Sequence, residues 1–538
     1  MPSFTLDDLQ IPFEAGDTVI RAAHRAGIDI PHYCWHPGLS VAANCRMCLV
    51  EVMPPPGRPA LMLDVLEWDA EKQDYVPQKK PKLQPACQQA AADGMVVKSQ
   101  SSEHVTRARA AVQELLLLNH PVDCPICDQA GECRLQDYWL EHQGTKKRMR
   151  DEPVHKPKAV VFGPTIVYDA ERCIVCTRCV RFSEEVAKDP VLSVRERGNL
   201  NEIVVAPGRK LDHPYTLMTE YVCPVGALTA VDFRFKARVW FLRSVPSVCV
   251  GCATGCNSFT DFDPRSQKVH RYRPRENLAV NQYWMCDEGM LDYRRIHEGR
   301  VLTASVSGEA TTREAALAKA TALLGDAPPE TSAVVLSAEH SQEDNFALLE
   351  FARDVLKTNN IFVTGRSPGV GDQVLRDADK NPNSNGVKKL TLAARSYAEL
   401  VRTAEEGKLT HVVSLGSQAP GDGRALKQIK NLIALATHEG PFTAAAKVIL
   451  PASSWAEVSG TFVNRQGIAQ ESDRAITPRG DSRPGFRWVL DLAKALDKPP
   501  TWYKLDELRA AMRPRSVPPG SMPPPAPTPS VPTPGVRP

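Results

Sequence analysis

Read for apolar periodicity, the chain divides near residue 300. Before that point, short alternating runs are broken by turn formers. Phe4-Thr-Leu6 and Ile11-Pro-Phe13 predict a hairpin, residues 18–26 a short helix, and Leu49-Val-Glu-Val52 a strand. The run Leu115-Leu-Leu-Leu118 closes a helix that begins near Val105. After residue 300, strands and helices alternate. Residues 312–324 read as an amphipathic helix, Ala333-Val-Val-Leu336 as a buried strand, and Ser341-Gln-Glu-Asp344 as a capping box opening a helix that runs to Lys357. Ile361-Phe-Val363, Val412-Val-Ser-Leu415, a helix over 424–437 and Val448-Ile-Leu450 continue the series. This alternation predicts a doubly wound parallel sheet. Gly365, Gly369, Gly371 and Gly416 follow strands and are read as turns in preference to nucleotide-binding glycines.

Composition narrows the field. A chain of 538 residues predicts three or four domains with a core large enough to fold alone. Lys and Arg total 66 against 63 for Asp and Glu, a balance that gives no footprint for nucleic acid. The longest apolar runs fall far short of the ~20 residues a membrane span needs. Residues 514–538 hold eleven prolines among Ser, Thr and Gly, the composition of an extended, disordered tail.

The chemistry lies in the cysteines. All fifteen precede residue 287, and with one histidine they sort into four sets of four. A disulfide scaffold is expected in short secreted chains, and no apolar signal segment follows Met1. Structural zinc favours two C-x2-C pairs brought together. Here a close pair or triplet is joined by a distant cysteine, which points to iron–sulfur clusters, with zinc kept as an alternative for the last set.

Cys34, Cys45, Cys48 and Cys87 form the first set, read as a 2Fe-2S site; Gly38, Asn44 and Arg46 are candidate donors to its sulfurs. Cys124, Cys127 and Cys133 need a fourth ligand for a 4Fe-4S cluster, and His120 is the nearest candidate, since His104 lies at the far end of the helix and His142 beyond the last cysteine. Cys173, Cys176 and Cys179 open a bacterial-ferredoxin run that Cys223-Pro224 closes. Ser183 stands where that run's fourth cysteine belongs, and Thr219, Thr216 and His213 stand at the matching positions before Cys223. One cluster of an ancestral pair is lost, leaving a single 4Fe-4S site. Arg178 and Arg181 beside it either offset its charge or face solvent. Cys249, Cys252, Cys256 and Cys286 make the last 4Fe-4S set, with Gly251 and Gly255 free to turn amides toward sulfide.

The run from Leu115 through Asn119-His120-Pro-Val-Asp-Cys124-Pro-Ile-Cys127 to Cys133 resembles the large iron–sulfur (G) subunit of bacterial NADH:quinone oxidoreductase, or complex I. So do Cys45-Arg-Met-Cys48-Leu-Val-Glu51 and Cys223-Pro-Val-Gly-Ala-Leu228. The segment from Ile449 to Gly467 is similar to the molybdopterin-oxidoreductase-derived domain of that protein.

The resemblance implies an α+β multi-domain chain. A β-grasp 2Fe-2S ferredoxin domain (1–100) leads into a helical His/Cys3 segment (101–150) and a bacterial-ferredoxin-like domain with one 4Fe-4S cluster (151–240). A molybdopterin-oxidoreductase-type 4Fe-4S domain (241–300), a shortened α/β domain (301–505) and the proline-rich tail (506–538) follow. It further implies one 2Fe-2S and three 4Fe-4S clusters without molybdenum or tungsten. The expected partners are a flavin-bearing NADH-binding subunit and a ferredoxin-like subunit nearer quinone, in a peripheral arm on the cytoplasmic side of the bacterial inner membrane. No catalytic residue is expected in this chain, and the fourth cluster is the one least tied to the electron path. A molybdopterin-dependent formate dehydrogenase-like or hydrogenase-associated subunit is the alternative.

Overall fold

The computed structural model describes residues 1–144 and 148–513; the start of the tail expected over 506–538 is instead part of the helix Leu505–Met512, held by buried Leu508 and the pairing of Arg509 with Glu343, and residues 514–538 lie outside the described residues. The chain forms two compact units that divide between Val239 and Trp240.

In the first unit the expected hairpin is present as Ser3–Leu6 and Leu9–Pro12, turned by Asp7 and Asp8, both at positive φ. It extends into a five-stranded sheet in the order Leu9–Pro12, Ser3–Leu6, Val96–Lys98, Leu49–Met53, Gln84–Pro85. Only the pairing of Ser3–Leu6 with Val96–Lys98 is parallel. The helix Val19–Arg25 lays Val19, Ile20, Ala22 and Ala23 on this sheet, in a core with Phe4, Ile11, Val50, Val97 and the thiols of Cys48 and Cys87. Asp7 then fixes the far end: its carboxylate accepts the amides of Ser99, Gln100 and Ser101.

An antiparallel ribbon, Met62–Asp69 with Asp74–Pro81, fills the stretch between Cys48 and Cys87 and was not foreseen from the sequence. Its Leu66, Trp68 and Tyr75 are exposed, so its apolar residues do not mark a buried face. The helix Glu103–Leu117 begins where Ser102 Oγ accepts the amide of Val105, and it ends three residues before His120. Further along, Arg178–Glu185 and Leu217–Tyr221 pack against each other beside the three-stranded sheet Leu228–Ala230, Ile166–Tyr168, Val160–Val161.

The second unit is built on a seven-stranded sheet. Its order is Glu309–Ala310, Ser305–Val306, Val448–Pro451, Asn431–Ala436, His411–Leu415, Ser332–Ser337, Ile361–Thr364, and the last five strands are parallel. Alternate residues serve opposite faces. Val334 and Leu336 join one core with the helices Arg313–Leu324, Gln342–Glu350 and Gly485–Ala495, whereas Ala333 and Val335 join another with Tyr397–Glu405 and Pro441–Ala445. Helices on both faces make the sheet doubly wound, as expected. Three antiparallel strands, Arg243–Val248, Asn257–Asp263 and Lys268–Pro274, precede it.

Two expectations are corrected. The helix over 424–437 is a single 3-10 stretch, Arg424–Gln428, followed by the strand Asn431–Ala436. All six residues of that strand are buried, and an apolar run buried on both faces carries no period to tell a strand from a helix. The capping box at Ser341 is half formed. Ser341 Oγ accepts the amide of Asp344, but the Asp344 carboxylate turns away to accept the amide of Phe486 at 2.7 Å. The helix also passes into a π turn, Phe351–Val355, short of Lys357.

Burial pushes the Asp344 carboxyl up to about 7, against the pull of the Phe486 amide. The folded state therefore holds a proton that the unfolded chain releases above pH ~4. The stability this group lends is full below that pH and is lost as pH rises to about 7. We expect the second unit to lose up to a few kcal/mol over that window and Asp344→Asn to remove the slope, as read from denaturant unfolding of both proteins at several pH values.

Candidate metal centres

Each cysteine set is gathered by local structure. In the first, the Cys34 thiol hydrogen-bonds that of Cys45 and Cys48 that of Cys87, and Cys34 also lies in the field of Cys48. The amide of Cys34 points at Cys45 Sγ at 3.5 Å. Of the three proposed donors, Asn44 serves through its backbone, whose amide hydrogen-bonds the Cys34 sulfur while its side-chain Nδ2 donates to Val175 O; Gly38 N donates to His36 Nδ1 instead, and Arg46 is exposed. Arg46 does hold a positive φ, the backbone turn that brings Cys45 and Cys48 together.

In the second set, Cys124, Cys127 and Cys133 are electrostatic neighbours, Cys124 being exposed and Cys127 buried. His120 Nδ1 is buried without a hydrogen-bond partner. Burial, with Arg172 and Lys158 nearby, pushes its imidazole down to about 4, so the ring is neutral at neutral pH. An orphaned, neutral nitrogen next in sequence to three thiols fits a metal ligand.

Cys173, Cys176, Cys179 and Cys223 surround one small cavity, whose remaining wall includes Tyr168, Ile203 and Leu228. Burial pushes the Cys173 and Cys176 thiols up to about 11 and Cys223 up to about 12. Ser183, His213, Thr216 and Thr219, at the positions of a lost cluster, are packed side chains: Thr219 Oγ1 donates to Thr216 O and His213 Nδ1 accepts the amide of Tyr215.

Cys249, Cys252, Cys256 and Cys286 surround another small cavity. Gly251 N reaches Cys249 Sγ at 3.4 Å, while Gly255 N donates to Cys252 O instead of facing the thiols. Cys286 caps the helix Asp287–Leu291 by accepting Gly289 N, and a Cβ on Gly289 would stand 3.0 Å from Cys249 Sγ. Asn464 and Gln470 hold this loop from below, donating to Thr254 O and Gly255 O.

Among the described residues, no three His, Cys, Asp or Glu side chains converge on the position of a single ion. The thiols line the walls of a space, which suits a multi-iron cluster better than zinc. Buried thiols with raised pKa values are poor thiolates unless a cation arrives, and cluster iron supplies it.

Arg178 and Arg181 are buried, which overturns the solvent-facing alternative. Arg181 donates to Cys34 O at 2.5 Å and to Cys176 O at 3.3 Å; Arg178 donates to Trp35 O and to Val222 O. These bonds tie the first set's loop to both halves of the third. The third is tied to the second by Arg172, which donates to Asp123, and by Gly226, which lies against Cys127. The third set thus adjoins both of the others.

A separate cavity of about 570 Å³ opens at the carboxyl ends of the parallel strands in the second unit, lined by Glu339, His340, Ser417, His438 and Ser453 among others. It lies where the chain reverses direction across the sheet, between Ser332–Ser337 and His411–Leu415. Its cations are engaged: Arg295 pairs with Asp292 and Glu339, and Arg366 with Glu339. Gly365, Gly369 and Gly371 pack against Asn381, Lys380 and Ala378 of their own loop.

Four family models match in order. A 2Fe-2S iron-sulfur cluster binding domain matches residues 2–102, the NADH-ubiquinone oxidoreductase-G iron-sulfur binding region 109–148, the NADH-quinone oxidoreductase subunit 3 ferredoxin-like domain 163–229, and molybdopterin oxidoreductase 277–495. The NADH-quinone oxidoreductase G subunit of Streptomyces coelicolor is 36% identical over 367 residues, 67% of this chain and 40% of that one. That of Mycobacterium bovis is 35% identical over 67% of this chain and 43% of its own length. NADH-quinone oxidoreductase subunit 3 of Thermus thermophilus is 35% identical over 67% of this chain and 47% of its own. The matched region spans less than half the length of each of these relatives.

A Cβ on Gly226 would stand 2.2 Å from Cys127 Sγ. Gly226→Ala is therefore expected to displace that thiol and destabilise the first unit by roughly 1–3 kcal/mol, which a lowered melting temperature in calorimetry would register.

Proposed function

We propose, for a chain that belongs to the G-subunit family of NADH-quinone oxidoreductase, that it relays electrons from a flavin-bearing, NADH-oxidising partner toward a quinone-reducing one. The observation that carries this reading is the chain of donor sets in the first unit, joined end to end by buried arginines. Cys34, Cys45, Cys48 and Cys87 would hold a 2Fe-2S cluster. His120 with Cys124, Cys127 and Cys133, then Cys173, Cys176, Cys179 and Cys223, and last Cys249, Cys252, Cys256 and Cys286 would each hold a 4Fe-4S cluster. When bound, such clusters accept and release single electrons. The contacts of Arg181 and Arg172 favour the spatial order first, third, second, so the exposed Cys124 marks one end of the relay.

This chain holds no G-x-G-x-x-G between strand and helix and is not expected to oxidise NADH alone, because NADH delivers a hydride. Among the described residues no helix is long and apolar enough to cross a membrane. Attachment at the cytoplasmic face of a bacterial inner membrane would come through partner subunits.

The cavity of the second unit fits a molybdenum pterin poorly. Its arginines are already paired with carboxylates, Asp292 keeps an unpartnered buried oxygen there, and no cysteine follows Cys286 to bind the metal. A cofactor bearing phosphate would meet like charge. This favours the relay over the formate dehydrogenase-like alternative.

Natively purified assembly is expected to contain about fourteen iron atoms per copy of this chain, equal labile sulfide and no molybdenum or tungsten. Stoichiometric molybdenum would sink the reading. Within the assembly, Cys176→Ala should abolish electron delivery to quinone while flavin reduction by NADH persists, and Cys252→Ala should retain quinone reduction. Full quinone activity in a folded Cys176→Ala complex that lacks the third cluster would rule out the relay.

A further inference from the structure

Two guanidinium groups buried between the first and third cysteine sets have no carboxylate partner among the described residues. Arg181 spends its donors on carbonyls, of Cys34, Cys176 and Ser40, and on Thr177 Oγ1. Arg178 reaches Trp35 O and Val222 O, and its Nε is buried with no partner at all. Apart from Ser40, the residues they contact are cysteines of the sets or, for Trp35, Thr177 and Val222, immediate neighbours of Cys34, Cys176 and Cys223. The neighbouring link is built differently. Arg172, also buried, lies between the second and third sets but carries Asp123 at 2.9 Å and Asp169 at 3.3 Å, so its charge is compensated.

A buried cation without an anion costs several kcal/mol, and a fold keeps one where negative charge comes to meet it. The two sets offer that charge in full when they hold iron, since four thiolates leave a cluster net negative. The unpaired arginines therefore report on what the sites hold.

We propose that Arg178 and Arg181 form a shared cationic bridge that sets the midpoint potentials of the first and third clusters together. The proposal rests on the relay reading above and deepens it by naming the residues that make this link more oxidising than its ligands alone would. A positive charge held against two acceptors stabilises the reduced form of each. Removing it makes both harder to reduce, and because one guanidinium touches both loops, the two shifts arise from a single side chain. The fork also fixes the spacing of the loops, by donating to the peptide carbonyl of a cysteine in each. Arg181 is thus a positioning and potential-setting residue, not a ligand.

The test is a redox titration of the assembled complex, with the first, second and third clusters followed separately by electron paramagnetic resonance. In Arg181→Gln the midpoints of the first and third clusters are expected to move to more negative values in the same sample while that of the second stays in place. Arg181→Lys, which keeps the charge and loses the fork, should leave both midpoints near wild type. Arg178→Gln should reproduce the negative shift of the pair. A shift confined to one cluster, or unmoved midpoints in both Gln variants, would overturn the proposal. If Arg181→Gln loses a cluster, the Lys variant decides: clusters restored at wild-type midpoints support the bridge, and clusters absent, or present at displaced midpoints, reduce Arg181 to a scaffold role. The absence of 2Fe-2S and 4Fe-4S signals from the wild-type complex would instead refute the relay itself.

Discussion

Burying sulfur that must be anionic is the constraint on which the first unit depends. Ten of the fifteen cysteines are buried, and burial pushes the thiols of Cys133, Cys173 and Cys223 up, so the protein alone holds these protonated, whereas hydrogen bonds pull Cys34 down to about 5. Only multivalent metal repays the cost of stripping those protons in a low-dielectric site. The local architecture follows from that need. Loops in unusual backbone conformations, such as Arg46, Val175 and Thr177 at positive φ, aim amides and thiols inward, and glycines at 226, 251 and 289 admit sulfur where a Cβ would crowd it. The regular elements serve chiefly to hold these loops still, as when the helix Arg178–Glu185 carries both bridging arginines one turn apart.

The same constraint explains which features the sequence displayed. Cysteine spacing carries such information because a thiol that is to ligate cannot move along the chain, and the third and fourth sets each line one small cavity, as their spacing grouped them. The parallel sheet was equally legible, since Ala333-Val-Val-Leu336 and its fellow strands carry uninterrupted apolar runs flanked by turn formers. Roles decided by tertiary context were not legible. Gly38 looked like a donor to sulfur and instead gives its amide to His36 Nδ1. Arg178 and Arg181 looked as much like surface charge as like cluster neighbours, because nothing local distinguishes a guanidinium that will be buried by a segment about 140 residues away. The strand Asn431–Ala436 was lost to a helix for want of polar interruptions, and the ribbon Met62–Pro81 because its side chains pack on little.

The second unit keeps the layout of a ligand-binding sheet while its cavity is crowded with paired charges. Its sheet still opens a cavity at the carboxyl ends of its strands, the position where such sheets bind ligands, and its last cysteine set still lies beside that cavity, with Val250 and Glu288 on the shared wall. Asp292 sits close enough to both to raise the Cys249 thiol further. Carboxylates now engage the arginines that an anionic cofactor would need, and Arg300 is consumed in a fully buried pair with Glu457 that braces Thr437 O and Ile296 O.

Arginines beside the cysteine sets and the cavity are used in two ways. In the second unit, Arg300, Arg295 and Arg366 are each matched by a carboxylate, so their fields cancel nearby and the fold gains rigidity without influencing its neighbours at a distance. In the first unit, Arg172 is paired likewise with Asp123 and Asp169, but Arg178 and Arg181 are matched by carbonyl dipoles and one hydroxyl alone, so their fields reach the sulfur sets on either side. Screening by water is weak at these depths, and an uncompensated charge there acts on any electron that arrives. Compensation is therefore the physical criterion that separates arginines holding the fold together from arginines that tune what the fold carries, and it can be read from hydrogen-bond partners without knowing the occupant of the site.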